Sequence, residues 1–257
     1  MDGFLKVEAL SKAYDPARPV FSDVSFSLAR GEFVCIIGHS GCGKTTILNV
    51  LAGLDQASSG YAYMDGREIA GPSLERGVVF QSHALMPWLT VRQNIAFAVK
   101  SRWPEWNAAK VNVHLEKFVE MVGLSAAIDK KPSALSGGMK QRVGIARAFS
   151  ISPKMLLLDE PFGMLDSLTR WDLQEVLMEV WARSQVTAMM VTHDVDEAIL
   201  LADRVVMMTN GPRAKIGKVM DVPLEGPRTR EALLAHPQYY ALREELIGFL
   251  EDCGSQH

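Results

Sequence analysis

The stretch GHSGCGKTTILNVLAG, residues 38–53, places glycines, a lysine and two threonines directly before an apolar helical run. The segment before it, EFVCIIG (32–38), is apolar and rich in branched side chains, which predicts a buried strand. The order strand, glycine-rich turn, helix is the context in which the pattern G-x-x-x-x-G-K-[ST] binds nucleotide phosphates. This unit therefore predicts both a phosphate site and an α/β fold.

The glycine-rich turn can curl around an anion because Gly38, Gly41 and Gly43 tolerate backbone conformations that other residues avoid. The N–H groups of the turn and the positive end of the following helix then point at one place. We expect Lys44 to contact the β- and γ-phosphates and the Thr45 hydroxyl to bind Mg²⁺. This signal alone does not separate a kinase, a GTPase and a transport ATPase.

The bulk properties exclude several other classes of protein. A net charge of −3 over 257 residues gives no indication of a nucleic-acid binder. No apolar run approaches the roughly 18 residues needed to cross a bilayer, and the start MDGFLKVEAL lacks the features of a secretion signal. Three scattered cysteines without metal-ligand spacing favour a reducing, cytosolic compartment.

Strand and helix patterns alternate along most of the chain. Short alternating segments between Val7 and Leu28 predict antiparallel strands, and helical periodicity from Val91 to Ile128 predicts an α-helical insertion. Three further segments have the composition of buried strands: RGVVFQ (76–81), KMLLLDEP (154–161) and VTAMMVTHD (186–194). Residues 195–219 predict a short helix and a hairpin, and Arg228 to Cys253 a helical tail. Strands alternating with helices predict a parallel sheet covered on both sides.

The run LLLDE ends in two carboxylates, Asp159 and Glu160, at the carboxyl end of a predicted strand. Open α/β sheets bind their ligands at that edge. We expect Asp159 to complete the Mg²⁺ site begun by Thr45, and Glu160 to accept a proton from the water that attacks the γ-phosphate.

A second glycine-containing helix start lies in LSGGMKQR, residues 135–142. One nucleotide does not need two such anion sites within a chain. A symmetric dimer resolves this, because each second site can then face the nucleotide that the partner chain holds.

Taken together, these motifs and their order resemble the nucleotide-binding subunits of ATP-binding cassette (ABC) transporters over nearly the whole chain. The resemblance implies a P-loop NTPase with a RecA-like core, an N-terminal antiparallel β subdomain and an α-helical insertion. It places the ATPase domain at 1–225, the inserted helical subdomain at about 82–145, and a C-terminal helical tail at 226–257.

The resemblance also implies ATP and Mg²⁺ as ligands and gives roles to matching residues. Those assigned to hydrolysis are Glu160, His193, Gln81 and Lys44. Those assigned to the metal are Thr45, Gln81 and Asp159. Those assigned to ATP are Tyr14, which stacks on adenine, the loop residues Gly38, His39, Ser40, Gly41, Cys42, Gly43, Lys44, Thr45 and Thr46, the signature residues Ser136, Gly137 and Gly138, and Asp166 at the dimer interface.

Some residues at or near the site depart from the family pattern or carry no side-chain chemistry. Met139 stands where glutamine is commoner, and the segment 163–166 reads GMLD where a serine often leads. We expect these changes to tune the rate rather than abolish activity. From His39 and Cys42 we expect main-chain contacts only, and His83 receives no role.

A separate membrane permease is the first partner implied by the resemblance, because the chain has no predicted membrane span. The other implied partners are a second copy of the chain or a homologous ATPase, and indirectly a periplasmic or lipid-anchored solute-binding protein; no nucleic acid is expected. The implied location is the cytoplasmic face of the bacterial inner membrane.

The stretches VTHDVDEAILLADRVVMMTNGP, PRAKIGKV and HPQYYALREELIGFL are most similar to nitrate-transport ATPases. Nitrate is therefore the first hypothesis for the transported solute. Aliphatic sulfonate or taurine is the second, and cyanate or bicarbonate is a further alternative. A soluble ABC ATPase outside transport is a further alternative. A P-loop kinase or GTPase is disfavoured because the sequence has no N-K-x-D guanine motif.

Overall fold

A computed structural model describes residues 3–224 and 228–254. These residues form ten strands: Leu5–Asp15 (β1), Arg18–Leu28 (β2), Phe33–Ile37 (β3), Ser59–Met64 (β4), Arg67–Glu68 (β5), Arg76–Val79 (β6), Met155–Asp159 (β7), Thr187–Thr192 (β8), Arg204–Met208 (β9) and Ile216–Asp221 (β10).

The same residues form eight α-helices: Lys44–Ala52 (α1), Val91–Arg102 (α2), Ala108–Met121 (α3), Gly137–Ser150 (α4), Ser167–Ser184 (α5), Val195–Leu201 (α6), Arg230–Ala235 (α7) and Tyr239–Gly254 (α8). Short 3₁₀ turns lie at Ser125–Ala127 and Pro132–Ala134. In the described part of the chain, no helix combines the length and apolar character needed to span a bilayer.

The chain divides into two compact units, residues 1–73 with 187–257, and residues 74–186. We call them the first and the second unit. The boundary expected between residues 225 and 226 lies outside the described residues. The extent of the helical insertion, about 82–145, stays a prediction.

The first unit contains an antiparallel sheet with the strand order β2-β1-β4-β5. Its second set of strands centres on β3, which pairs in parallel with β8 on one side and β9 on the other. Strand β10 closes this set by an antiparallel pairing with β9. All five residues of β3 are buried, as a strand covered on both faces requires. The antiparallel strands and the late hairpin predicted from the sequence are confirmed.

The second unit contains the parallel pair β6 and β7, in a register that aligns Arg76 with Met155 and Val79 with Leu158. Thr90 precedes helix α2 as its N-cap in a capping box, in which Thr90 and Gln93 bond each other's backbone N–H groups. The helical pattern predicted from residue 91 onwards is confirmed as two helices, α2 and α3. Pro104 lies between them, where its ring is incompatible with a continuous helix.

The tail of the first unit is helical as predicted, but it forms two helices because Pro237 interrupts it. Helix α8 is anchored by the fully buried Leu246 and by Asp196, which accepts hydrogen bonds from Tyr239 and Arg243 at 2.8 Å each. Burial and the bond to Asp196 raise the pKa of Tyr239 to about 12.

Candidate active site

The glycine-rich loop lies between β3 and α1 in the first unit, as the sequence predicts. Gly43 ends the loop with a φ of 96°, and a Cβ there would lie 2.8 Å from a Val20 methyl carbon. Only glycine satisfies both constraints. As the N-cap residue of α1, Gly43 has no side chain to bond the N–H groups of the first turn. This helix start is therefore available to an anion.

The Lys44 side chain is buried within this loop, with 6% of its surface exposed. Its ammonium donates hydrogen bonds to the carbonyl oxygens of Gly38 at 2.7 Å and His39 at 3.1 Å. A phosphate oxygen carries negative charge and is therefore a stronger acceptor than either neutral carbonyl. The loop therefore holds a cation at the place where nucleotide phosphates are expected.

Two loop side chains are engaged inside the protein. The His39 ring bonds the carbonyl oxygen of Leu250 through Nε2 at 2.7 Å. Cys42 is fully buried, and this burial raises the pKa of its thiol, so the thiol stays protonated near neutral pH. Both side chains are thus engaged within the protein, and the main-chain contacts expected of these two residues stay a prediction.

A cavity of about 710 Å³ opens beside the loop within the first unit. Its volume lies in the range that accommodates small ligands. It is lined by loop residues, by the segment after β9, by the start of β2 and by the end of α8: His39, Ser40, Gly41, Asn210, Gly211, Pro212, Arg18, Pro19, Val20 and Gly254.

Tyr14 lies near the end of β1 with 68% of its surface exposed. Its hydroxyl donates a 2.7 Å hydrogen bond to Asp55, a residue that our reading of the sequence missed. We also missed Lys12, which bonds the same carboxylate at 2.6 Å. Its spacing from Tyr14 was the available signal, because residues two apart on a strand point to the same side.

His193 follows the fully buried strand β8 and is itself exposed. Its neighbour Thr192 is buried, donates a 2.7 Å hydrogen bond to Glu197 and accepts one from the Asp194 N–H. Asp194 caps α6 through the N–H groups of residues 196 and 197. Hydrogen bonds of the two neighbouring residues thus hold the turn that carries His193.

In the second unit, Gln81 and Glu160 meet beyond the carboxyl ends of β6 and β7. The Gln81 Nε2 group donates to Glu160 Oε2 at 3.2 Å. Glu160 has a φ of 41°, a left-handed conformation that non-glycine residues rarely adopt. Strain of this kind concentrates at functional sites, where the surrounding structure holds the residue in place.

The loop after Gln81 is held by Arg147 of α4. Two successive non-glycine residues, His83 and Ala84, have φ values of 63° and 45°. The Arg147 guanidinium donates to the Ala84 carbonyl at 2.6 Å and to the His83 carbonyl at 3.3 Å. Desolvation, with the Lys140 charge second, lowers the pKa of His83, so this ring is neutral near pH 7.

The second glycine-containing helix start is formed as the sequence predicts. Ser136 caps α4, its hydroxyl accepting from the Met139 N–H at 3.2 Å. Because Met139 takes part through its backbone, this capping contact does not depend on its side chain. A Cβ on Gly138 would lie 2.4 Å from the Thr169 methyl carbon, so α4 and α5 need a glycine at this point.

Asp166 caps α5 and accepts hydrogen bonds from the Thr169 hydroxyl at 2.7 Å and the Thr169 N–H at 3.1 Å. The hydroxyl bond and then the backbone bond lower the pKa of Asp166, so its carboxylate is ionised near neutral pH. The large apolar side chains of Met164 and Leu168 on either side are 67% and 70% exposed.

No three or more His, Cys, Asp or Glu side chains of residues 3–224 and 228–254 form a cluster that would hold a metal ion. Mg²⁺ does not require such a cluster, because it usually takes one or two carboxylates together with substrate phosphates.

Comparison with known proteins gives one family. The family model described as ABC transporter matches residues 21–163. The nitrate import ATP-binding protein NrtD of Synechococcus elongatus is 49% identical over 96% of this chain and 92% of its own length. The bicarbonate transport ATP-binding protein CmpD of the same organism is 48% identical over 97% and 91%. NrtC of that organism is 52% identical over 98% of this chain, which spans only 39% of NrtC.

Two solved structures share the fold. The ATP-binding cassette MJ0796, a dimer in a post-hydrolysis state with ADP and Pi, superposes with a TM-score of 0.76 at 27% identity, covering 87% of this chain and all of that one. CbiO1 of Clostridium perfringens, part of the complex cbiONQ, gives a TM-score of 0.78 at 25% identity over 98% of this chain. The family resemblance and the fold class predicted from the sequence are both confirmed.

Proposed function

This chain belongs to the ABC transporter family, and from that premise we propose that it is the ATPase subunit of an anion importer, with nitrate as the leading solute. The ATPase activity follows from the family. The observation that supports nitrate as the solute is the similarity to NrtD, which extends over more than nine tenths of both chains. Bicarbonate replaces sulfonate as the second candidate because CmpD matches over the same extent.

We assign the binding of the ATP phosphates to the loop of residues 38–46. The buried Lys44 ammonium and the uncapped start of α1 supply positive charge and N–H donors. Tyr14, exposed near the end of β1, is the residue proposed to stack on adenine. The cavity beside the loop supports binding from this side of the first unit.

Hydrolysis is assigned to Glu160, Gln81, Lys44 and His193. The Glu160 carboxylate accepts a proton from water as the water oxygen bonds the γ-phosphorus. The bond from that phosphorus to the β–γ bridging oxygen breaks, which leaves ADP and phosphate. Gln81 orients Glu160 and the water through its carboxamide, and the Lys44 and His193 side chains stabilise the charge on the phosphoryl oxygens.

We assign Mg²⁺ to the Thr45 hydroxyl, the Gln81 carboxamide and the Asp159 carboxylate, all oxygen donors that suit this ion. When bound, the ion would neutralise charge on the β- and γ-phosphates.

The partner in hydrolysis is proposed to be a second copy of the chain or a homologous ATPase. Ser136 and Gly137 are exposed at the start of α4, where they can meet a nucleotide held by that partner. The exposed Met164 and Leu168 flank Asp166 and supply apolar area for an interface. The dimeric state of MJ0796, a structural neighbour, supports this pairing.

The membrane partner is proposed to be a separate permease, served by a periplasmic or lipid-anchored solute-binding protein. The location that follows is peripheral, on the cytoplasmic face of the inner membrane. Trp88 and Phe97 of the second unit are 68% and 53% exposed, which supports a docking surface there. Closure on ATP and reopening after hydrolysis would drive the permease, because ATP favours the closed state.

Growth of a strain lacking the gene tests the solute. With nitrate as sole nitrogen source, we expect growth to fail, to return with the wild-type gene, and to stay absent with Lys44→Ala. Growth on ammonium is the control. Normal growth on nitrate combined with failure at limiting bicarbonate would replace nitrate by bicarbonate, and failure on sulfonates as sole sulfur source would restore the sulfonate alternative.

A further inference from the structure

Tyr14 is an exposed ring held in one orientation. It lies near the open end of β1, where a solvated aromatic side chain is otherwise free to change rotamer. Here the hydroxyl donates a 2.7 Å hydrogen bond to Asp55 Oδ2. A weaker interaction with the Thr46 side chain brings the same hydroxyl within reach of α1. The ring is thus tied to the helix that begins at the phosphate loop.

Asp55 is fixed from its own side. It lies in the loop after α1, and its N–H bonds the Asn49 carbonyl of that helix at 3.3 Å. Hydrogen bonds from Lys12 and then Tyr14 lower the pKa of the Asp55 carboxyl. The bond to Asp55, together with burial, raises the pKa of the Tyr14 hydroxyl. Near neutral pH the phenol is therefore the donor and the carboxylate the acceptor.

Lys12 is the third member of this cluster. Only 8% of its surface is exposed, and its ammonium donates to Asp55 Oδ1 and to the Gln56 carbonyl at 2.6 Å each. The same ammonium lies 4.6 Å from the centre of the Tyr14 ring, against one face. A cation in this position is attracted by the ring quadrupole. One face of the ring is therefore covered by an anchored charge.

We propose that Lys12 and Asp55 are positioning residues that hold Tyr14 with one face covered and the opposite face open to the adenine base of ATP. The inference rests on the proposed function, which assigns the base to Tyr14. An immobilised ring loses less conformational entropy when the base stacks on it, which strengthens binding without a new contact to the ligand. Our reading of the sequence gave neither residue a role.

The test measures two ligands, ATP and inorganic triphosphate, against Lys12→Met and Asp55→Asn. We expect the Kd for ATP to rise about tenfold in each variant, in keeping with the loss of an ordered stacking surface. The Kd for inorganic triphosphate, which has no base, should stay within about twofold of wild type, and so should kcat at saturating ATP. Lys12→Arg keeps the charge and should recover most of the affinity.

Matched controls come from two other ion pairs of the same unit. Lys6→Met removes the exposed Lys6–Glu8 pair on β1, and Asp65→Asn removes the Arg30–Asp65 pair at the turn after β4. Neither should change the Kd for ATP. Tyr14→Ala measures the affinity for ATP that remains without the ring. Neither Lys12→Met nor Asp55→Asn should bind ATP more weakly than Tyr14→Ala does.

Three outcomes have distinct meanings. ATP binding by both variants as tight as wild type would overturn the inference. A parallel loss of triphosphate binding would also overturn it, because the residues would then support the phosphate loop and not the ring. Failure of the wild-type chain to bind either ligand would instead overturn the proposed nucleotide site.

Discussion

The Gln81 carboxamide donates a hydrogen bond of 3.2 Å to the Glu160 carboxylate at the ends of two parallel strands. The same Glu160 has a left-handed backbone with a φ of 41°. A strained backbone and a directed hydrogen bond together hold this carboxylate in one place. Both features suit a general base, whose efficiency depends on its position relative to the attacking water.

Glu160→Gln should bind ATP yet lose at least about 100-fold in kcat, because an amide cannot accept the proton of the attacking water. The ATP that is not hydrolysed should then hold two chains together as a dimer, which light scattering can detect in the presence of ATP and Mg²⁺. Glu179→Gln, which removes an exposed i,i+4 ion pair with Arg183 on α5, is the control. A Glu160→Gln protein that remains monomeric under these conditions would contradict the assignment.

Lys44→Ala should abolish ATP turnover and weaken ATP binding, measured by calorimetry. We assign the ammonium to the β- and γ-phosphates, and its two carbonyl contacts place it inside the loop. Loss of such a charge in a transition state costs about 100-fold or more in rate. Lys6→Ala is the matched control in the same unit, and unchanged turnover in Lys44→Ala would refute the phosphate-loop assignment.

Ser136→Arg should stop hydrolysis by placing a long side chain at the exposed start of α4, where the partner's nucleotide is expected. When the Ser136→Arg and Lys44→Ala proteins are mixed, each mixed dimer should regain at most one working site. Steady-state ATPase activity measured at several mixing ratios can detect this. Ser133→Arg is the control, because Ser133 is also exposed and lies three residues earlier. Full activity of Ser136→Arg on its own would exclude the composite site.

Gly138→Ala should lower the free energy of unfolding by about 1 kcal/mol, because the new methyl group would overlap the Thr169 methyl carbon. Rotation of Thr169 would relieve the overlap only by breaking its hydroxyl bond to Asp166. Thr169→Ser removes the methyl group and keeps the hydroxyl. In that background, Gly138→Ala should be neutral or stabilising in chemical denaturation, and an equal cost in both backgrounds would refute this packing account.

Asp55→Asn should destabilise the protein in a pH-dependent manner. The native pKa of Asp55 is lowered by its bonds from Lys12 and Tyr14, so its ionised form favours the folded state. That contribution is present above the unfolded-state pKa of about 4 and is lost as the pH falls through the lower native value. The difference in Tm between wild type and variant should therefore shrink below about pH 4. A difference that stays constant from pH 7 to pH 3 would contradict this reading.

Features that depend on neighbours in sequence could be predicted without the structure. The loop before Lys44, the carboxylates after β7, and the serine cap of α4 each involve residues within a few positions of one another. Their glycines, hydrophobic runs and capping residues act locally, so the pattern of letters carries the physical information. The break in the tail at Pro237 belongs to the same class and was overlooked.

Contacts between residues distant in sequence were decided by the tertiary structure alone. Lys12 reaches Asp55 over 43 positions, Arg147 reaches the Ala84 carbonyl over 63, and His39 reaches Leu250 over 211. No local pattern encodes such pairs, because any lysine or arginine can bond many acceptors and the packing of strands and helices selects one. The sequence by itself determined where the glycine-rich loop, the paired carboxylates and the serine-capped helix start lie along the chain. The fold determined which other side chains hold Tyr14, Glu160 and the Gln81 loop in place, since that depends on distances in space that one-dimensional spacing does not contain.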